Sequence, residues 1–141
     1  MKVNPYLNFD GTTEEAFDLY KKVFGGEFMA KMKMTEMPES DKLPENERER
    51  IMHISLPISE DTILMASDII PSMGQKLPEG SNCYISLHPT SREEADRLFD
   101  ELSEGGEVEM PMEDQFWGDY FGSFTDKFGV RWMINYNAEF K

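Results

Sequence analysis

Few side chains in this sequence could do chemistry, and they are scattered. It holds two histidines, His53 and His88, and one cysteine, Cys83. His53 lies in IMHISLPIS, where alternation sets Met52, Ile54, Leu56 and Ile58 on one strand face and His53 and Ser55 on the other. A histidine so placed is either a hydrogen-bonding or acid–base group titrating near neutrality, or a strand histidine satisfied by a neighbour or by solvent. His88 shares a phase with Tyr84 and Ser86 and stands just before Pro89, at a rim or in a loop. Asp68 closes ILMASD and Asp119 lies in WGD. Each could bind an amine or act as a base, and each could equally cap a turn or pair with an arginine. Cys83 has no basic neighbour and no visible histidine partner, so it is expected to be a small buried hydrophobe rather than a nucleophile.

The stretch DQFWGDYFGSFTDKFGVRW, from Asp114 to Trp132, holds both tryptophans, four phenylalanines and three glycines. An indole offers a flat apolar face and one N–H to orient a ligand. Trp117, beside Gly118 at a strand entrance, is the pocket candidate, whereas Trp132 alternates with Ile134 and Tyr136 and suits a core equally well. The sequence has no glycine-rich phosphate loop, no G-x-S-x-G elbow and no Cys-x-x-Cys pair.

Two helices must position these groups, and they repeat one another. YLNFDGTTEEAFDLYKKVFGGEF and ISLHPTSREEADRLFDELSEGGEVE both run from a short strand into a hydroxyl residue with glutamate three places on, Thr12 with Glu15 and Ser91 with Glu94. That is capping-box spacing. Apolar stripes follow at i, i+3, i+4 and i+7: Ala16, Leu19, Tyr20, Val23 and Ala95, Leu98, Phe99, Leu102. Each helix ends at Gly-Gly-Glu. The chain therefore reads as an internal duplication. Strand-like runs fill the rest of each copy, and Asp126-Lys127-Phe128-Gly129 turns between the last two. The expected organisation is a first β-α-β-β-β module over residues 1–68, a linker over 69–81 and a second module over 82–141, in one compact domain. The charged segment 36–50 has the length of a lid or of a disordered loop.

With 141 residues, 39% of them hydrophobic, the chain can bury a core. Its net charge of −14 repels phosphate backbones and anionic membranes, so neither nucleic acid nor a membrane is the expected partner. A neutral or cationic small molecule suits it better. One cysteine, no basic-then-apolar leader and no apolar run near the ~20 residues of a membrane span point to the cytoplasm.

Tandem βαβββ modules resemble the vicinal oxygen chelate superfamily, which includes glyoxalase I, extradiol dioxygenases, fosfomycin resistance proteins and bleomycin-binding proteins. Within it the sequence looks most like the PhnB-like group, on NPYLNFDGTTEEAFDLYKKVFGGE, ILMASD and PMEDQFWGDYFGSFTDKFGVRW, with Lys127 where that group usually has proline. The resemblance implies an α+β fold in which curved mixed sheets surround a cavity and the helices lie on the outer faces. It also implies a homodimer. Trp117, Tyr120, Phe121, Phe124 and Trp132 would be shared between core and cavity wall.

Catalytic members hold a divalent metal on the first and fourth strands of each module. Aligned on helix starts and the glycine turn, those places fall at Pro5, Met65, Tyr84 and Met133. Proline and methionine are not ligands for a hard ion, and a one-residue slip brings nothing better, so no metal and no cofactor is expected. The glycine-rich cofactor site of a methyltransferase is absent too. The expected function is binding of a small organic molecule in an aromatic-lined cavity, with Trp117, Tyr84, Ser55, Asp119, Trp132, Asp68 and Met65 as ligand-binding candidates. The alternative is a glyoxalase-like lyase or isomerase in which His53 or a cavity carboxylate serves as acid and base.

Overall fold

The computed structural model describes residues 1–78, 80 and 82–138. Glu79 and Ser81 of the expected linker, and residues 139–141 of the second module, lie outside the described residues. The chain divides into two compact units, Met1–Gly80 and Ser81–Lys141.

The first unit runs β1 (Tyr6–Phe9), α1 (Thr13–Phe24), β2 (Ala30–Lys33), β3 (Ile51–Pro57) and β4 (Ile63–Asp68), in sheet order β1-β4-β3-β2. β1 lies parallel to β4, and the remaining pairs are antiparallel. The second unit repeats this with β5 (Ile85–Leu87), α3 (Arg92–Ser103), β6 (Glu107–Asp114), β7 (Tyr120–Thr125) and β8 (Arg131–Tyr136), in order β5-β8-β7-β6. Each unit is the βαβββ module of an α+β fold with a mixed sheet.

Each helix covers one face of its sheet. α1 buries Ala16, Phe17, Tyr20 and Val23, and Ile54, Leu56, Leu64 and Ala66 are fully buried on the strands it packs against. In the second unit Ala95, Leu98, Phe99 and Leu102 of α3 are buried, as are Phe124, Trp132 and Ile134 of the sheet. Each large side chain removed from water in this way contributes about 1.5–3 kcal/mol. Close backbone approach fixes glycine at position 106, where a Cβ would stand 2.1 Å from the Thr125 carbonyl oxygen.

Several local expectations need correction. Ser91 caps α3, its Oγ accepting from the Glu94 amide at 3.0 Å, but the Thr12 side chain makes no cap bond to α1. The Asp68 carboxylate takes that place from the end of β4. The alternation proposed for β3 fails at Ile51, which shares a phase with His53 yet is buried, because the β2–β3 register shifts between Met32 and Lys33. Ile69 and Ile70, assigned to the linker, are buried in the first unit, and the Ile69 amide continues the ladder by donating to the Phe9 carbonyl. Segment 36–50 folds into short turns, including the single turn α2 (Glu45–Arg48). There the Arg48 guanidinium donates to the Leu43 and Asp41 carbonyls, and buried Glu47 accepts from the Ser72 amide.

On the helix side of the second sheet, the Arg92 guanidinium lies 3.9 Å from the Tyr120 ring centre and forms a bidentate pair with Asp114. The Tyr120 hydroxyl donates to Asp96, and that hydrogen bond, ahead of burial and the Asp96 charge, pushes the phenol up to about 12. A raised pKa keeps its stabilising share in full below the ordinary tyrosine range and loses it as pH rises through the folded value. Absorbance at 295 nm is therefore expected to show one tyrosine ionising near pH 12, with Asp96→Asn bringing that titration down. An unchanged curve in Asp96→Asn would reject this origin for the shift.

Candidate functional site

The sheet faces opposite the helices carry the polar groups. On the first unit the register sets Tyr6 beside Met65, Met65 beside Ser55 and Ser55 beside Ala30, with Asn8 beside Ser67 and His53 beside Met32 in the next row. Side chains on one face recur every second residue, so Tyr6, Asn8, Met32, His53, Ser55, Met65 and Ser67 share the open face. The Tyr6 ring stacks on His53 with centroids 5.7 Å apart, and its hydroxyl lies 3.1 Å from Nδ1. With the phenol donating, the neutral imidazole keeps its proton on Nε2. With Nδ1–H donating instead, Nε2 presents the lone pair of a base. Ser55 is buried beside this pair. No Asp, Glu, Lys or Arg stands among the strand residues of this face.

The second unit's open face differs in charge. Phe121 pairs with Asn135, Ser123 with Met133 and Thr125 with Arg131, while Glu113 pairs with Phe121 from the edge strand. Ser86 stands beside Met133, and the same alternation brings Tyr84 and His88 to this face. Tyr84 donates to Glu109 at 2.7 Å, which pushes its phenol up, and the Arg131 guanidinium lies 5.4 Å from its ring centre. At the hairpin end Asp119 accepts from Asn137 Nδ2 and, at 3.1 Å, from Trp117 Nε1. Led by the Asn137 bond, with Asn135 and Trp117 contributing, these donors hold its carboxyl below the usual range.

Not all the expected site residues meet on these faces. His53, Ser55 and Met65 lie on the first unit's, and Tyr84 and Asp119 on the second's. Asp68 turns instead to the helix layer, where it is buried and fully used: Oδ1 accepts from the Gly11 amide, the Thr13 amide and the Thr13 hydroxyl, and Oδ2 from the Ile51 amide. Trp132 is wholly buried under α3 and donates from Nε1 to Asp126 Oδ2, so it belongs to the core rather than to a wall. Trp117 is 51% exposed in the β6–β7 turn, its ring edge-on to Phe116. Cys83, expected to be buried, is exposed. His88 is exposed with Nε2 3.1 Å from the Ser86 hydroxyl.

No binding role for Tyr6, Asn135 or Asn137 is legible in the sequence, which places Asp126 only in the turn. Tyr6 alternates with Asn8 in a strand too short to reveal its phase. Asp126 had a local signal in Asp-x-x-Gly, since its Oδ1 accepts from the Phe128 and Val130 amides to hold the turn.

The metal places shift by one residue on the first strand. Tyr6, not Pro5, stands beside Met65, and Ser86 stands beside Met133 with Tyr84 one step along the same face. Phenol, hydroxyl and thioether groups are a poor donor set for a hard divalent ion, which wants carboxylate or imidazole. Among the described residues no group of three His, Cys, Asp or Glu side chains comes together as a metal site. The residues present do not fit the metal that the resemblance implies.

Paired βαβββ modules, each with its helix on one sheet face and polar groups on the other, define the glyoxalase-like class of folds. The chain belongs to the Glyoxalase/Bleomycin resistance protein/Dioxygenase superfamily, whose family model matches residues 2–134. It is 36% identical to protein YjdN of Escherichia coli (strain K12), over 96% of this chain and 95% of that protein. It is 40% identical to protein PA1353 of Pseudomonas aeruginosa, whose crystal structure superposes with a TM-score of 0.85 over 97% of this chain and 98% of that one. A PhnB protein of Bacillus cereus, described as a putative 3-demethylubiquinone-9 3-methyltransferase, shares the fold with a TM-score of 0.78 at 21% identity, over 96% of this chain and 99% of that one. No helix among the described residues is long and apolar enough to cross a membrane.

Proposed function

We propose that this PhnB-like, glyoxalase-like chain binds a small organic molecule, neutral or cationic, on the open faces of its modules and does so without the superfamily's metal. The carrying observation is the stacked and hydrogen-bonded Tyr6–His53 pair, flanked by Ser55 and the thioethers of Met32 and Met65. Aromatic faces, polarisable sulfur and a few fixed polar groups are what a site for an uncharged or cationic organic ligand needs. The aromatic surface of the first unit's open face thus comes from Tyr6 and His53, and that of the second unit's from Tyr84 and Phe121, rather than from the two tryptophans. Net charge of −14 and a single cysteine suit a cytoplasmic protein with no nucleic-acid or membrane partner, and the superfamily resemblance implies a homodimer.

Calorimetry against a panel of neutral and cationic aromatics tests the proposal. Saturable binding is expected, weakened about tenfold by His53→Ala through loss of the stacked pair. Absence of saturable binding across the panel would reject it.

A second function, a lyase or isomerase of glyoxalase type, draws support from the Tyr6–His53 hydrogen bond, because Tyr6 can fix the tautomer in which Nε2 is a base. Turnover that disappears in His53→Ala while the fold persists would establish it. Binding without turnover leaves the first.

A further inference from the structure

We propose that the hairpin end of the second unit's open face is a subsite for an organic ammonium group, formed by Glu113, Asp119, Phe121 and Asn135. This deepens the binding function proposed above, and rests on it, by assigning where a cationic ligand puts its charge.

Three independent observations meet there. Register joins Glu113 to Phe121 and Phe121 to Asn135, so the three side chains form one row across β6, β7 and β8. Asp114 and Tyr120, one step away, point to the opposite face, as their contacts with Arg92 on the helix side show. Asp119, two residues before Phe121 and so in phase with it, stands at the end of the row and accepts from Asn137 Nδ2 and Trp117 Nε1. Charge comes second. Asp114 is paired with Arg92 and Glu109 with the Tyr84 hydroxyl, but neither Glu113 nor Asp119 forms an ion pair among the described residues. Two carboxylates beside a phenyl face suit a cation that can lie against the ring while its N–H groups reach oxygen. The third observation is Asn135 Oδ1, a buried acceptor with no hydrogen-bond partner. An unpaired buried oxygen on this row calls for a donor. An ammonium has three. The first unit's open face has no aspartate or glutamate on its strands, which makes this subsite specific to the second.

The test uses the full chain, ¹⁵N-labelled, titrated with benzylammonium and with benzyl alcohol as its uncharged counterpart. Benzylammonium is expected to bind about tenfold more tightly or better, and to move the Asn135 side-chain amide and the Trp117 indole resonances. Glu113→Gln is expected to remove most of that preference without disturbing the fold, because Glu113 is exposed. Asn135→Leu should weaken benzylammonium while sparing benzyl alcohol. Equal affinity for the two probes, a preference untouched by Glu113→Gln, or shifts confined to the Tyr6–His53 face would overturn the subsite and leave the binding function standing. Saturable binding of neither probe, together with a silent calorimetric panel, would remove both.

Discussion

Asp68→Ala is expected to destabilise the first module by about 4 kcal/mol, because it leaves several buried donors unsatisfied at about 1–3 kcal/mol each, less what entering water recovers. Three backbone amides and one hydroxyl depend on this carboxylate: Gly11 N at 2.9 Å, Thr13 N at 3.1 Å, Thr13 Oγ1 at 2.7 Å and Ile51 N at 2.9 Å. It ties the start of α1 to the ends of β3 and β4. It also sits at a helix N-terminus, where negative charge is favoured. Asp68→Asn keeps one acceptor but turns an NH₂ toward donors, so about half the loss is expected, on the order of 2 kcal/mol. Urea unfolding of the purified variants measures both. Thr12→Ala supplies the internal control: its side chain makes no cap bond, so a loss under about 0.5 kcal/mol is expected, against about 1 kcal/mol for Ser91→Ala. Equal losses at Thr12 and Ser91 would refute the division of labour described here.

That contrast shows what the sequence could and could not disclose. Both helices were legible because cap spacing, apolar stripe and glycine stop are local signals, and each depends on residues within a few turns of one another. The duplication followed from them. Which group caps α1 was not legible, because Asp68 reaches it from 55 residues along the chain. Thr12 has the right residue type, but its backbone, at φ −110° and ψ 10°, is not in the extended form that Ser91 adopts at φ −153° and ψ 161°. Site residues divided on the same principle. Phase along β3 put His53 and Ser55 on the open face correctly, whereas the partner of His53 lies on a strand 47 residues earlier. Ile51 escaped the pattern because the shift that leaves Met52 of β3 unmatched against β2 is a property of two strands and not of one. The tryptophans were equivocal for a similar reason. Indole chemistry serves a ligand or a core alike, and only the placement of α3 over β8 decides that Trp132 is core.

Replacing Trp132 with alanine is expected to cost about 4 kcal/mol, the range for deleting a large buried aromatic. The ring is fully buried with Phe124 and Ile134 beneath α3, and its N–H donates 2.9 Å to Asp126 Oδ2. Asp126 is itself buried and also holds the β7–β8 turn through the Phe128 and Val130 amides, so losing the indole deprives that carboxylate of one donor. Trp132→Phe separates the two contributions. It keeps most of the apolar volume and removes the donor, for an expected loss of about 1–2 kcal/mol. Fluorescence gives an independent reading, since Trp132 is fully buried and Trp117 is 51% exposed. The folded Trp132→Phe variant should emit only from the half-exposed ring, with its maximum moved to longer wavelength. Trp117→Phe should do the reverse at little cost in stability, leaving a blue emission that responds to unfolding of the second module. A larger stability loss in Trp117→Phe than in Trp132→Phe would exchange the roles of the two indoles. It would put Trp117 in the core that α3 covers and leave Trp132 as the ring available to a ligand.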